Sequence, residues 1–278
     1  MSAVLASSRR PPPPVPLEFG VVTFLAWAML VAVPIGLGGI SLSWDALNHH
    51  IYLGWIAQHP RFDRDFLAAS FQSYQYPYLY WPAYQLMRIG ASGMVAGVVL
   101  ATLQATVAPA LWIIARACMP EPTWHAAAMR ACAVLLALLG QVSLSLLDTT
   151  SNDGLAATPL VWAVALALLA ATPGRAFGWL TPVRATALSG IMAGIAIGFK
   201  LSNGPLVLAM PLLWAMAGAS PRMRAGHISL ALFCTGIGFV LAYGYWGWLL
   251  WQQFGNPIFP FGHPQFEFLR AATGWHQP

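Results

Sequence analysis

From Phe19 to Leu42 the chain carries no charged residue, and comparable apolar runs recur near 91–114, 128–147, 154–171 and 228–250. This recurrence is the strongest constraint on the fold. A hydrocarbon layer of ~30 Å takes about 20 helical residues at ~1.5 Å rise each. Inside lipid the backbone must satisfy its own polar groups, which helices do within one segment. Composition agrees, with 58% hydrophobic and 8% charged residues, where soluble domains carry about 25% charge. Mean hydropathy is +0.65. So little polar surface cannot coat a globule in water, and the sequence predicts an all-α, polytopic integral membrane helix bundle.

The stretch between Arg184 and Arg222 is too long for one crossing, and arginines stand at both ends. Two short helices near 185–201 and 204–219 fit, broken at KLSNGP, where Asn203-Gly204-Pro205 is a turn signal. A re-entrant hairpin is the alternative there. About seven spans result. Arg9, Arg10, Arg116, Arg130, Arg175, Arg184, Arg222 and Arg224 fall on alternate connections, which the positive-inside rule makes cytosolic. The other connections hold Asp45, Asp63, Asp65, Asp148, Asp153 and Glu267, with Glu18 and Glu121 as exceptions. This places the N-terminus inside and the C-terminus outside.

The net charge of +5 comes from basic residues spread singly or in pairs, not from one patch. That excludes nucleic acid as the partner. Cys118 is expected in the cytosol and Cys132 and Cys234 inside apolar runs, with no CxxC and no external disulfide. Residues 1–18 form a Pro-rich cytosolic tail ahead of a transmembrane domain at 19–278. The first apolar run exceeds the ~7–15 residues of a signal-peptide core, so it is expected to stay as a span; a cleaved signal is the lesser alternative. No internal repeat is evident.

The first outer loop, about 43–90, is far longer than a hairpin needs, and loops beyond ~12–15 residues are usually functional or disordered. Its Tyr, Trp and Phe content argues for structure, packed on the membrane surface. On a helix over 44–58, Asp45, Asn48, His49 and Tyr52 share one strip, while Trp44, Leu47, Ile51 and Trp55 make an apolar one. That pattern predicts an interfacial helix. The aromatic run SFQSYQYPYLYWPAYQL reads as an interface belt or as a platform for a sugar or isoprenoid. A further outer segment is expected at 251–278.

Asp45 at the end of a span is either functional or a helix N-cap acting on the amides of Leu47 or Asn48. Asp148 and Asp153 lie in SLLDTTSNDGL, where Asp153 at a helix start is favoured by the helix dipole. Lys200, the chain's single lysine, ends the Gly-rich run GIAIGFK. It either snorkels to headgroups or holds a lipid-linked phosphate as a compact charge.

SWDALNHH after the first span, GFKLSNGP after a middle span and FGNPIFPF near the end together resemble the GT-C superfamily of polytopic, polyprenyl-phosphate-sugar-dependent glycosyltransferases. The resemblance implies sugar transfer from a polyprenyl-phosphate donor to a glycan, lipid or protein acceptor at the outer face of the plasma (inner) membrane. It makes Asp45 the catalytic base or acceptor-orienting carboxylate, with Asp153 or Asp148 as a second acid. Asn48, His49 and Tyr52 fall to substrate binding, as do Lys200 and then Arg88 as cations for the lipid phosphate. Superfamily members usually carry more spans and often a soluble C-terminal domain, so the resemblance also implies a C-terminally truncated product.

Three rivals remain. A divalent ion on Asp45 and His49 has too few ligands to argue a site. A transporter or flippase of a lipid-linked or small solute needs coupling residues near the midplane, and the charges here cluster at the outer boundary. A truncated, non-catalytic membrane protein is the third.

Overall fold

The structure, a computed structural model, describes residues 13–65, 68–172 and 179–278. Arg9, Arg10, Arg175 and most of the Pro-rich tail lie outside those residues. Helix α1 (Val15–Gly36) starts with Pro16 in its first turn, where the missing N–H costs nothing. It begins inside the stretch expected to be tail, so Glu18 belongs to the helix.

A π-helical turn at Ala46–His50 leads into α2 (Ile51–Ile56), followed by an extended segment, Ala68–Phe71, and α3 (Trp81–Arg88). Helices α4 (Gly93–Ala105) and α5 (Ala108–Cys118) form one long apolar rod broken near Pro109. The Thr106 carbonyl at the break accepts the Trp162 indole N–H at 3.0 Å, which satisfies a group left open in lipid. Next come α6 (Trp124–Leu138), the short α7 (Gln141–Ser145) and α8 (Asp153–Ala171). Helix α9 (Pro182–Phe199) precedes the short α10 (Gly204–Val207) and α11 (Met210–Ala215), and then α12 (Pro221–Phe254) and α13 (Glu267–Thr273).

Among the described residues, five segments are long and apolar enough to cross a membrane: α1, α4 with α5, α8, α9 and α12. Helix α6 and the 201–215 segment are shorter apolar helices. The molecule is thus helical and suited to a multi-span membrane protein.

Two groups of helices make the bundle. In the first, α1, α4, α5 and α6 enclose Val22, Ala26, Leu30, Trp112 and Val134. In the second, α8, α9, α11 and α12 enclose Ala163, Ala193, Trp214 and Ala231. The closest packing is α9 on α12. Gly190, Gly194 and Gly198 line one face of α9. A Cβ on Gly194 would stand 2.0 Å from the Thr235 carbonyl oxygen, and one on Gly190 would stand 2.3 Å from that of Ala231. Small residues let helix backbones touch where lipid offers no hydrophobic drive.

After Phe199 the helix stops at Lys200, whose backbone is extended (φ −152°, ψ 111°). Asn203 then donates to the carbonyls of Ala196 and Ala156 at 2.9 and 3.1 Å, tying the reversal to α8 and α9. The segment returns along α9. Trp214 donates to Ser189 Oγ at 2.8 Å, and Ala217 packs against Leu180 and Ala185 at the start of α9. It runs back to the level of the first turn of α9.

One end of the bundle carries the short links 119–123 and 216–220 and the other carries 37–92, 139–152 and 255–278. The long 37–92 link, expected to pack on the membrane surface, packs against α12. Leu53, Ile56, Tyr74 and Tyr80 pack on Tyr243, Trp246 and Leu250 of α12, and the Trp246 indole donates to the Tyr74 carbonyl at 3.0 Å. The 34 residues of α12, about 50 Å, rise past the apolar layer and give the loop a wall to fold against.

At the short-link end, Glu18 accepts from Arg130 Nε and Nη2, each at 2.6 Å, and from the Trp112 indole at 2.9 Å. Arg130 also donates to the Met119 and Glu121 carbonyls. The sequence marks Arg130 as a topology signal. In the fold it is buried and holds α6 to α1.

Candidate functional site

The loop end gathers four stretches that are far apart in sequence. The first is the π turn. Its extra residue per turn twists the strip expected on a regular helix. Asp45 and Asn48 stay exposed while His49 and His50 turn inward. Asp45, Asn48, His49 and Tyr52 therefore do not share one face. Trp44 and Leu47 keep the exposed, apolar side, but Ile51 and Trp55 are half-buried.

Asp45 does not cap the helix. Ser43 Oγ accepts the Ala46 N–H at 3.2 Å instead. The Asp45 carboxylate is 57% exposed and 3.9 Å from Nδ1 of His49, a buried nitrogen with no hydrogen-bond partner. The Asn48 amide donates to the Trp44 carbonyl in its own turn. The buried Tyr52 hydroxyl makes no hydrogen bond of normal geometry. Its pKa is pushed up to about 12, chiefly by burial and further by the carboxylate of Asp65, which is itself paired with Arg61.

His50 is the second buried histidine. Its Nδ1 lies 2.7 Å from Thr150 Oγ1, its ring stacks on Tyr80 at 4.6 Å, and His49 meets it edge-on at 4.3 Å. Burial lowers the pKa of His49 against the opposing pull of Asp45. Burial, with a contribution from His49, brings His50 down to about 4. Both rings are thus neutral near pH 7. Burial also raises the Tyr80 hydroxyl, which shares a hydrogen bond with the Asn152 side chain.

Asp153 and Lys200, separate candidates in the sequence, form an ion pair here. Asp153 does not cap α8, although it opens that helix, and its second oxygen accepts from Ser151 Oγ at 3.2 Å. Lys200 lines a cavity of ≈ 150 Å³ walled by Tyr74, Tyr76, Tyr80, Phe199, Tyr243 and Phe259, with Asn152 and Ser202 as further polar groups. An engineered apolar cavity of about that volume holds one benzene, so the space suits one six-membered ring. The C-terminal segment supplies part of the wall. Fully buried Asn256 donates to the Phe261 carbonyl at 2.8 Å and accepts the Ile258 N–H at 3.0 Å, which shapes the FGNPIFPF turn.

Asp148 serves through its backbone, because its carbonyl accepts both the N–H and the hydroxyl of Ser41. Arg88, at the exposed end of α3, is not part of the cavity wall. Asp45 is also outside the wall, reached from it through Tyr80, His50 and His49 in turn. Among the described residues no three His, Cys, Asp or Glu side chains converge as metal ligands, and Asp45 with His49 remains a pair. Thr150, Asn152, Tyr80 and Asn256 were not singled out from the sequence. The polar run DTTSND between apolar stretches is the signal that marks the first two.

No family model, no curated protein and no solved structure matches this chain.

Proposed function

We propose that the chain is a multi-span membrane glycosyltransferase of GT-C type, taking sugar from a polyprenyl-phosphate donor at the outer face of the plasma (inner) membrane. One observation carries the reading. DTTSND, KLSN and FGNPIFPF, spread from residue 148 to residue 261, line a ring-walled cavity at one end of the bundle with Lys200 as its cation among the described residues, and WDALNHH stands behind its wall, with His50 stacked on Tyr80. Aromatic faces suit the C–H faces of a sugar, while the apolar helices keep a long isoprenoid in lipid.

The acceptor hydroxyl oxygen bonds to the anomeric carbon as the bond from that carbon to the phosphate oxygen breaks, and the electron pair stays on the phosphate. Asp45 takes the hydroxyl proton. Among the described residues its carboxylate has neither a Lys or Arg partner nor a capping role, a state it shares with Asp148 and Glu267 at this end, and a general base must be free to accept. Lys200 offsets the charge growing on the leaving phosphate.

Purified protein in vesicles, given a panel of radiolabelled polyprenyl-phosphate sugars, is expected to form a glycosylated product. Asp45→Asn is expected to slow turnover by on the order of 10²–10⁴-fold with expression and melting unchanged, and Lys200→Ala to weaken use of the donor. Solute accumulation in the vesicles without product replaces this reading with transport.

A further inference from the structure

We infer that Lys200 is the cation of a phosphate site and that Asp153 masks it, yielding when a phosphoryl group enters the cavity. The inference rests on the proposed function and adds a role for Asp153 that differs from acid or base. Among the described residues Lys200 is the one charged residue lining the cavity. A phosphate placed there meets this ammonium or none.

In its absence the ammonium is held by Asp153, with the two side chains 43% and 48% exposed. An ion pair this open to water is weak. Its partners are also unequal. When Lys200 leaves, Asp153 keeps the Ser151 hydroxyl on its other oxygen and sits in the first turn of the 19-residue helix α8, where the positive helix end favours a carboxylate. Lys200 has no second acceptor among the described residues and is attached where the backbone has left the helix. Exchange therefore costs Asp153 little and turns Lys200 toward the cavity.

Phosphate is the better rival for the ammonium. A phosphomonoester carries about −1.5 to −2 charge near pH 7 and three acceptor oxygens, against one charge for the carboxylate. A sugar phosphodiester carries a single charge and competes less well. The exchange is thus most favoured as the sugar departs and the phosphate gains its second charge, and a contact stronger in the transition state than before it speeds the reaction.

The test is direct binding of farnesyl phosphate, and separately of inorganic phosphate, to the full chain in nanodiscs. Asp153→Asn is expected to bind farnesyl phosphate about five- to tenfold more tightly than wild type, and Asp153→Ser, which keeps a residue suited to a helix start, to do the same. Lys200→Met is expected to lose at least tenfold and to erase the gain when combined with either. Farnesyl phosphate binding far above inorganic phosphate assigns the site to a lipid phosphate, and equal binding assigns it to free phosphate; both support the masked site. Unchanged or weaker binding in the Asp153 variants, or full binding in Lys200→Met, overturns it. None of these measurements needs sugar transfer. A chain that binds as expected yet transfers nothing refutes the proposed function alone.

Discussion

Two neighbouring histidines show how much a single residue's setting matters. His50 titrates near 6.5 in an unfolded chain and about 4 in the fold, because burial disfavours the imidazolium. The unfolded state therefore binds the extra proton between those values. Stability is fully present above pH 6.5 and declines as pH falls toward 4, by about 3 kcal/mol over the interval. Thermal melting between pH 7 and 4 is expected to show this decline, and His50→Gln is expected to flatten it; an unchanged slope shows that His50 is not the group responsible. The sequence reveals a polar strip here but not which members turn inward. That depends on the π turn and on Tyr80 and Thr150, which receive the His50 ring and are distant in sequence. Asp153 and Lys200 are each conspicuous in the sequence for the same reason, charge beside an apolar run. Their pairing becomes visible only once α8 and α9 stand side by side.

At the scale of elements, the apolar runs locate the helices well because lipid leaves no other option for the backbone. Their ends are less legible. The apolar stretch of α12 near 228–250 is continued by Arg222 and Arg224 before it and Gln252 and Gln253 after it, residues with good helix propensity. The glycines of α9 read as composition, whereas in the fold they form the contact face. Gly194→Leu must push α9 and α12 apart, since its Cβ alone meets backbone at 2.0 Å. Overpacking of this kind costs about 1–3 kcal/mol or more. The variant is expected to melt lower and Gly226→Leu, where nothing lies within 4 Å of the added Cβ, to melt as wild type. Equal melting of the two overturns the packing account. Gly54 is a second such position, with the Tyr84 Cβ 2.5 Å from an added Cβ, so α2 and α3 approach only through glycine.

Across the whole molecule, six of the eight acids and the cavity share the loop end. Part of the charge there is paired locally: Arg61 with Asp65, Arg64 with Asp63, and Lys200 with Asp153. The expected face follows from the links at the opposite end. In sealed cells, single cysteines at positions 63 and 265 in a cysteine-free background are expected to react with an impermeant thiol reagent. A cysteine at position 219 is expected to react only after lysis. Labelling of 219 and not 63 in intact cells reverses the orientation.

The clamp between Glu18 and Arg130 bears on how such a chain is made. The two residues lie 112 positions apart, so α1 leaves the ribosome long before its counter-charge exists. Until α6 follows, the first helix carries an orphan acid at the membrane, and stripping one member from a buried pair costs about 3–5 kcal/mol. Arg130→Ala is accordingly expected to lower the yield of inserted protein, and Glu18→Gln with Arg130→Met to recover much of it. Biogenesis of the first helix group is thus settled late, by a residue of α6.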